Sequence, residues 1–538
     1  MKLKRFVALA STLAAVGCGE SVSPGPQDAA AADVAAPTDT GAGPVDAGAD
    51  AGPLPTGGVV AVTTFQFDNA RTGANRSETV LTPAALRARA LGRDTAFSPS
   101  LDGEVYAQPL VLPRVSVSGG ARDLLFVTTQ ANSVYALDAA TGAEVWRVSL
   151  GTPAPRSMQP CGNISPTTGV LGTPVIDAAA GTLYAVSYNN DGGLVFKLHA
   201  LDVTSGAERA GFPVALQPPT SNGVSFNAAP QQQRGALALV NGRVYVPFGG
   251  LYGDCGLYHG WVVAIDPANP ASQMAFATPG RGSGIWAPAG ESVDEEGRLY
   301  VATGNSTPLG GHTPGSLGEY ILRIGTGAMG PSFTESDTGS FFSPSDARSL
   351  DLADLDIGST APVVVPPVMG LSARLVFQVG KAGVAYLADR ASLGGTGSAL
   401  FSNRIFAGGV YGATAAWSNG AETYVYAPGR GRASGCSANG GVMALRVTAE
   451  GGGRFATAWC SATVSNPSPP AISSNGNSDG VVWVAGTSPA SLRAIEASTG
   501  MELFTDTLPS VRQWVPVVVS GGRVYVTGRN TVSMYRFQ

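Results

Sequence analysis

Short apolar runs rich in β-branched and aromatic residues alternate along the chain with turns rich in Gly and Pro, and one pattern recurs. Val134-Tyr135-Ala136-Leu137-Asp138 leads through Ala139, Ala140, Thr141 and Gly142 to Trp146. Echoes follow at Leu198–Asp202, Val263–Asp266, Tyr320–Arg323, Tyr386–Asp389, Met443–Arg446, Arg493–Glu496 and Ser533–Arg536. Taking the position of Asp138 as marker, successive units are 64, 64, 57, 66, 57, 50 and 40 residues apart. Each unit opens near a proline (Pro109, Pro174, Pro288, Pro362, Pro516) and continues with a β-branched run such as Arg243–Val246 or Arg298–Val301. The marker strand comes third, and a fourth strand often ends in an aromatic residue (Trp146, Trp459, Phe504). Four short strands at this period predict propeller blades. The expectation is an all-β chain: an eight-bladed β-propeller of four-stranded antiparallel blades, closed by N- and C-terminal strands sharing one blade. The last unit stops at Gln538 after its third strand, so Val59–Phe67 is expected to complete it and remove an exposed edge.

Composition agrees and adds an address. The chain has 538 residues, 44% hydrophobic and 13% charged, with 72 Gly and 38 Pro. That is enough apolar material for a large core and favours many turns over long helices. Lys2, Lys4 and Arg5 precede the apolar stretch Phe6–Val16, which is too short to span a bilayer. Ala15-Val16-Gly17-Cys18 then resembles a lipobox, with Ala15 where Leu is more usual; a plain signal peptide is the alternative. This predicts a signal peptide over 1–18, lipidation at Cys18 and, with Gly19 rather than Asp after it, an exported protein anchored at the outer membrane or in the periplasm. Residues 19–58 hold six acids and no Lys, Arg or aromatic residue, so they read as a disordered tether ahead of a folded domain at 59–538. The net charge is −5 and no basic run follows the N-terminus, which argues against a nucleic-acid surface. The membrane is then met only through the lipid anchor. A monomer is expected, with a small molecule or an envelope protein as partner.

The Asp-x-x-Thr-Gly turn (Asp138 to Gly142, weaker from Glu496 to Gly500) and the aromatic residue eight positions after the marker (Trp146, Phe504) resemble the pyrroloquinoline-quinone (PQQ) type of propeller. The resemblance covers nearly all of 59–538 and implies a site on blades three to five. In PQQ-dependent alcohol dehydrogenases, blade four supplies a Trp that stacks on the quinone and an Asn in a Thr-Gly-Asn motif that ligates Ca²⁺. Trp286 and Asn305 match these positions. Blade five there carries a catalytic Asp and a quinone-contacting Lys or Arg. Lys381 matches the second, while Asp354 and Asp356 compete for the first. Such chemistry needs a carboxylate to take the hydroxyl proton, a cation beside the quinone oxygens and a flat ring beneath. The chain departs from that family in having no adjacent cysteines and no Cys-x-x-Cys-His motif. Cys255 stands where a Ca²⁺-ligating Glu is expected, which leaves Asp254 as substitute. Two functions therefore stand: a binding or scaffolding lipoprotein of the cell envelope, or a PQQ- and calcium-dependent alcohol or sugar dehydrogenase with an altered cation site.

With Cys18 lipidated, Cys161, Cys255, Cys436 and Cys460 form an even set in an exported chain and predict two disulfides. Cys436 and Cys460 fall on one rim of blade six and are expected to pair. Cys161 and Cys255 share that face. His199 takes a core position, and His259 and His312 fall in rim loops. No Gly-x-Ser-x-Gly, phosphate-loop or His-Glu-x-x-His motif is present, so hydrolase and nucleotide functions have no support.

Lipidation has a direct test. Cys18→Ser should leave the protein folded and move it from the membrane pellet to the soluble fraction; unchanged pelleting would mean that Cys18 is not the anchor.

Overall fold

A computed structural model describes residues 58–538. The signal segment, Cys18 and all but the last residue of the 19–58 tether lie outside the described residues. None of the described helices is long and apolar enough to cross a membrane.

Eight sheets follow one another along the chain, each built on four antiparallel strands in simple up-and-down order, with a short fifth strand added in three of them. Blade one is Leu110–Val117, Gly120–Thr128, Ser133–Asp138 and Glu144–Ser149. Innermost strands of the next blades start at Val175, Ala238, Ser292, Val363, Ala415, Ala471 and Val518. The second and third strands of a blade are packed between neighbouring blades and are buried on both faces, whereas outer strands such as Glu144–Ser149 and Glu502–Thr507 alternate toward solvent. Large residues fill the gaps between blades: Trp146 donates its indole N–H to Val203 O of blade two, and Trp459 donates to Ala497 O of blade seven. Each indole lies flat against a glycine of the next blade's Thr-Gly or Ser-Gly turn. At Gly206 and Gly500 (φ +72° and +76°) a Cβ would come within 2.8 Å of the ring, so only glycine serves both the turn and the contact.

The ring closes as expected, but with a different strand. Leu91–Arg93 pairs antiparallel with Val532–Phe537 and supplies the outer strand of blade eight. Val59–Phe67 does not. An outer strand alternates between exposed and covered positions, and this segment buries Val62 and Phe65 completely. It forms instead the first half of a strap that circles the axis. Val60 exchanges hydrogen bonds with Ser520 Oγ of blade eight, and Val62 pairs with Val111 of blade one. Thr63 O accepts from Ile176 N of blade two, and Asn69 bonds Leu239 O of blade three and Val293 N of blade four. Ala70 O, Thr72 O and Gly73 O accept from Val364, Ala416 and Ile472 of blades five, six and seven. Asn75 Nδ2 returns to Val519 O of blade eight. Residues 60–75 thus visit the inner strand of every blade in order. Phe65 plugs the axis within a ring of small residues, Ala236, Ala287, Ala289, Ala361 and Ala413.

Arg71 pins the strap. Its guanidinium is buried and donates to the carbonyls of Glu291 (2.8 Å), Leu237 (3.1 Å) and Phe65 (3.0 Å) and to Thr64 Oγ1 (2.7 Å). Burial pulls its pKa down to about 10, and the neighbouring Glu291 carboxyl, buried without a hydrogen-bond partner, is pushed up to about 8 by the same desolvation. Arg71→Ala leaves the buried carbonyls of Glu291 and Phe65 without a donor and should cost about 3–5 kcal/mol in denaturant unfolding. A loss below about 1 kcal/mol would mean that the strap is not structural.

Candidate functional site

Each inner strand starts on one face of the ring, and each second strand returns to it. Segments leading into the first and turns leaving the second therefore share that face. Trp286, ahead of the inner strand of blade four, and Lys381, in the turn after Leu375–Val379 of blade five, meet there. Trp286 Nε1 donates to Asp356 Oδ2 (3.0 Å). Lys381 Nζ lies 2.6 Å from Asp354 Oδ1, 3.2 Å from Asp356 Oδ2 and 5.5 Å above the Trp286 ring centre. Four of the six residues expected from sequence therefore form one cluster. The close approach also depends on Gly304 of the Thr-Gly-Asn turn: a Cβ there would lie 2.7 Å from Trp286 Nε1 and 3.0 Å from Asp356 Oδ2.

Asp354 and Asp356 differ in environment. Asp354 is exposed at a left-handed backbone position (φ +53°), while Asp356 is buried, with Oδ1 lacking any partner. Burial pushes the Asp356 carboxyl up to about 6, against the pull of Lys381. Asp356 thus has the access to Trp286 and the near-neutral pKa that a proton acceptor needs. Glu319, which carries no sequence motif, is also buried beside it. Its Oε2 accepts from Ile357 N (2.7 Å), and desolvation, then repulsion by Asp356, holds it well above the usual carboxylate range. It precedes the third strand of blade four, and only the folded ring brings it to Asp356.

The two other expected residues are placed differently. Asn305 is buried with Nδ2 unpaired, next to Gly304. Asp254 is engaged by the Tyr258 phenol, which donates to Oδ1 at 2.6 Å and also lies 3.3 Å from Thr307 Oγ1. Calcium takes six to eight oxygens. Here Asp254 is occupied by a phenol and Asp356 Oδ2 by an ammonium and an indole. No group of three His, Cys, Asp or Glu among the described residues could hold a metal. The donor set does not fit Ca²⁺. Nor does Trp286 present a free face on the side that Lys381 covers.

The disulfides join Cys161 to Cys255 and Cys436 to Cys460. The first ties the loop between blades one and two to the loop that carries Asp254. His259 and His312 bond the carbonyls of Thr278 and Gly318. His199 is buried between Ser187 Oγ (2.9 Å from Nε2) and Glu208 Oε2 (2.7 Å from Nδ1), the order of a nucleophilic relay. Ser187 is fully buried and donates its hydroxyl to Asn189 Oδ1, so it neither reaches a substrate nor yields its proton to histidine. A cleft of about 800 Å³, lined by Asn403, Arg404, Phe406, Arg432 and Cys436, shares no residue with the Trp286 cluster.

The raised Asp356 pKa makes stability depend on pH. The folded chain keeps a proton that the unfolded chain releases near 3.8, so this contribution is complete below about pH 4 and is lost as pH rises through about 6. Lys381→Met removes the cation paired with Asp354 and Asp356, so its cost should be about 2–4 kcal/mol larger at pH 8 than at pH 5 in urea unfolding. Equal costs at both values would show that Lys381 does not hold Asp356 ionised.

Comparison with known proteins bears on the fold. A family model described as outer membrane protein assembly factor BamB matches residues 69–310. Among curated proteins no sequence matches. Quinohemoprotein alcohol dehydrogenase ADHIIG from Pseudomonas putida HK5 superposes with a TM-score of 0.63 at 15% identity, covering 89% of this chain and 80% of that one. The corresponding enzyme from Comamonas testosteroni gives 0.59 at 15% identity, covering 88% and 80%. A europium-containing methanol dehydrogenase gives 0.56 at 15% identity, covering 88% and 91%. At such identities the likeness is one of fold. The chain has the β-propeller fold of these quinoproteins.

Proposed function

We propose that this protein is an exported, lipid-anchored propeller of the cell envelope that acts as a binding module and does not carry a working quinone site. One observation carries the reading: the groups that a quinone dehydrogenase would turn toward its cofactor are here spent on one another. Lys381 is neutralised by Asp354 and Asp356, and Trp286 is bonded by its indole N–H and covered by the ammonium. Ligands bind where polar donors converge free, and here the ammonium and the indole N–H are both taken. The Cys161–Cys255 disulfide and the signal-like N-terminus suit an oxidising compartment. The match to an outer-membrane assembly factor over 69–310 supports the envelope address.

The second reading, a PQQ- and calcium-dependent alcohol or sugar dehydrogenase, is favoured by Asp356, a carboxyl near neutrality beside Trp286 and Lys381 in the matching blades. Calorimetric titration with PQQ, with and without Ca²⁺, separates the two. The binding-module reading expects no Ca²⁺-dependent heat and no dye-linked oxidation of alcohols or sugars. Tight Ca²⁺-dependent binding with oxidation that Asp356→Asn abolishes would establish the dehydrogenase.

A further inference from the structure

Tyr106, Arg234, Tyr411 and Trp514 each lie four residues before the first residue of an inner strand, in blades one, three, six and eight. The shared register brings them to one level at the mouth of the axis, on the face of Trp286. Arg234 stands 4.4 Å over the Trp514 ring, although blades three and eight are not neighbours in the ring. Such a contact can form only across the axis. Tyr411 and Trp514, from blades six and eight, also meet, with ring centres 6.3 Å apart, and Arg430 stands 4.5 Å over Tyr411. Gly409, next to this group, lies against Lys381 O, so the ladder flanks the Trp286 cluster.

The charges at this mouth do not balance. Arg512 and Arg529 share Glu104, and Lys381 is held by Asp354 and Asp356. Arg234 and Arg430 have no carboxylate partner among the described residues. The groups acting on Arg234 are the Tyr106 phenol and the like-charged Arg512, and desolvation pulls it down to about 10. Arg234 and Arg430 therefore stand at this mouth without a carboxylate of their own. A guanidinium stacked on an aromatic ring keeps its N–H groups in its own plane, free for two-pronged contact with a carboxylate. A half-buried cation without a carboxylate partner carries a desolvation cost, and an anion offsets that cost.

We propose that the axial mouth binds a small organic polycarboxylate, one carboxylate on Arg234 and a second on Arg430, with Trp514 and Tyr411 holding the two guanidiniums in place. Two guanidiniums on two separate rings suit two spaced carboxylates better than a single phosphate. The inference rests on the chain being a binding module and names the class of its ligand.

The full-length mature protein is titrated calorimetrically at low salt with citrate, benzene-1,3,5-tricarboxylate and its trimethyl ester, inorganic phosphate, and PQQ, itself a tricarboxylate, without Ca²⁺. Both polycarboxylates should bind, the ester should not, and Arg234→Gln with Arg430→Gln should weaken binding about tenfold or more. The melting temperature of each variant is measured in parallel; if Arg234→Gln does not fold, Arg430→Gln alone must weaken binding about threefold or more. Calcium-free PQQ binding that is lost in the arginine variants and kept in Trp286→Ala would make PQQ one ligand of the same class. Absence of binding by every polycarboxylate, or binding indifferent to both arginines, overturns the proposal. Calcium-requiring PQQ binding lost in Trp286→Ala but kept in the arginine variants overturns it too, and only that last outcome, joined by alcohol oxidation, also sinks the binding-module reading.

Discussion

Everything in this molecule hangs on how the hole of the ring is filled. The sheet of each blade packs against those of its two neighbours, and the inner strands line an axial channel with backbone groups that must find partners. The strap at 60–75 supplies them, one blade after another, in the order of the chain. Arg71 and Phe65 make that circuit a plug: four hydrogen bonds from one buried guanidinium and one ring among alanines. The strap draws its partners from all eight inner strands at once, so it also fixes how far apart they stand.

A plug below the mouth decides where chemistry can occur. The open end of the axis collects whatever the blades place ahead of their inner strands and after their second strands. Two kinds of cluster arise there, from the same fold rule. Around Trp286 the donors find acceptors: one ammonium and one indole N–H are taken up by two aspartates within 3.2 Å. Around Trp514 they do not, because Arg234 and Arg430 bring cations without acids. The first arrangement holds itself in place without a ligand. The second has unmet hydrogen-bond donors, and donors of that kind are what a binding site offers.

Blade number, strand order and the docking aromatics were legible in the chain because each depends on residues close in sequence. The Asp-x-x-Thr-Gly turn and Trp146 lie within nine residues of one another, and Gly206 and Gly500 sit where the Trp side chains of the preceding blades need space. Trp286, Lys381 and the two candidates Asp354 and Asp356 were legible through their resemblance to positions of PQQ-dependent alcohol dehydrogenases, which did not tell the two aspartates apart. Val59–Phe67 misled. Its apolar residues suit a strand, and no local property separates an outer strand from one that runs through the axis.

Glu319, Arg71 and the Arg234–Trp514 contact carry no local signal at all. Their environment is set by residues up to 280 positions away, from Arg234 to Trp514, brought together only when the eighth blade closes on the first. The amino-acid sequence by itself determined the repeating unit, the face on which its loops gather and the number of blades. Tertiary structure alone decided which strand closes the ring, which carboxylate is buried and which cations are left unpaired. The reason is physical: alternation and turn geometry are properties of neighbouring residues, whereas burial and charge balance depend on which blades meet across the axis.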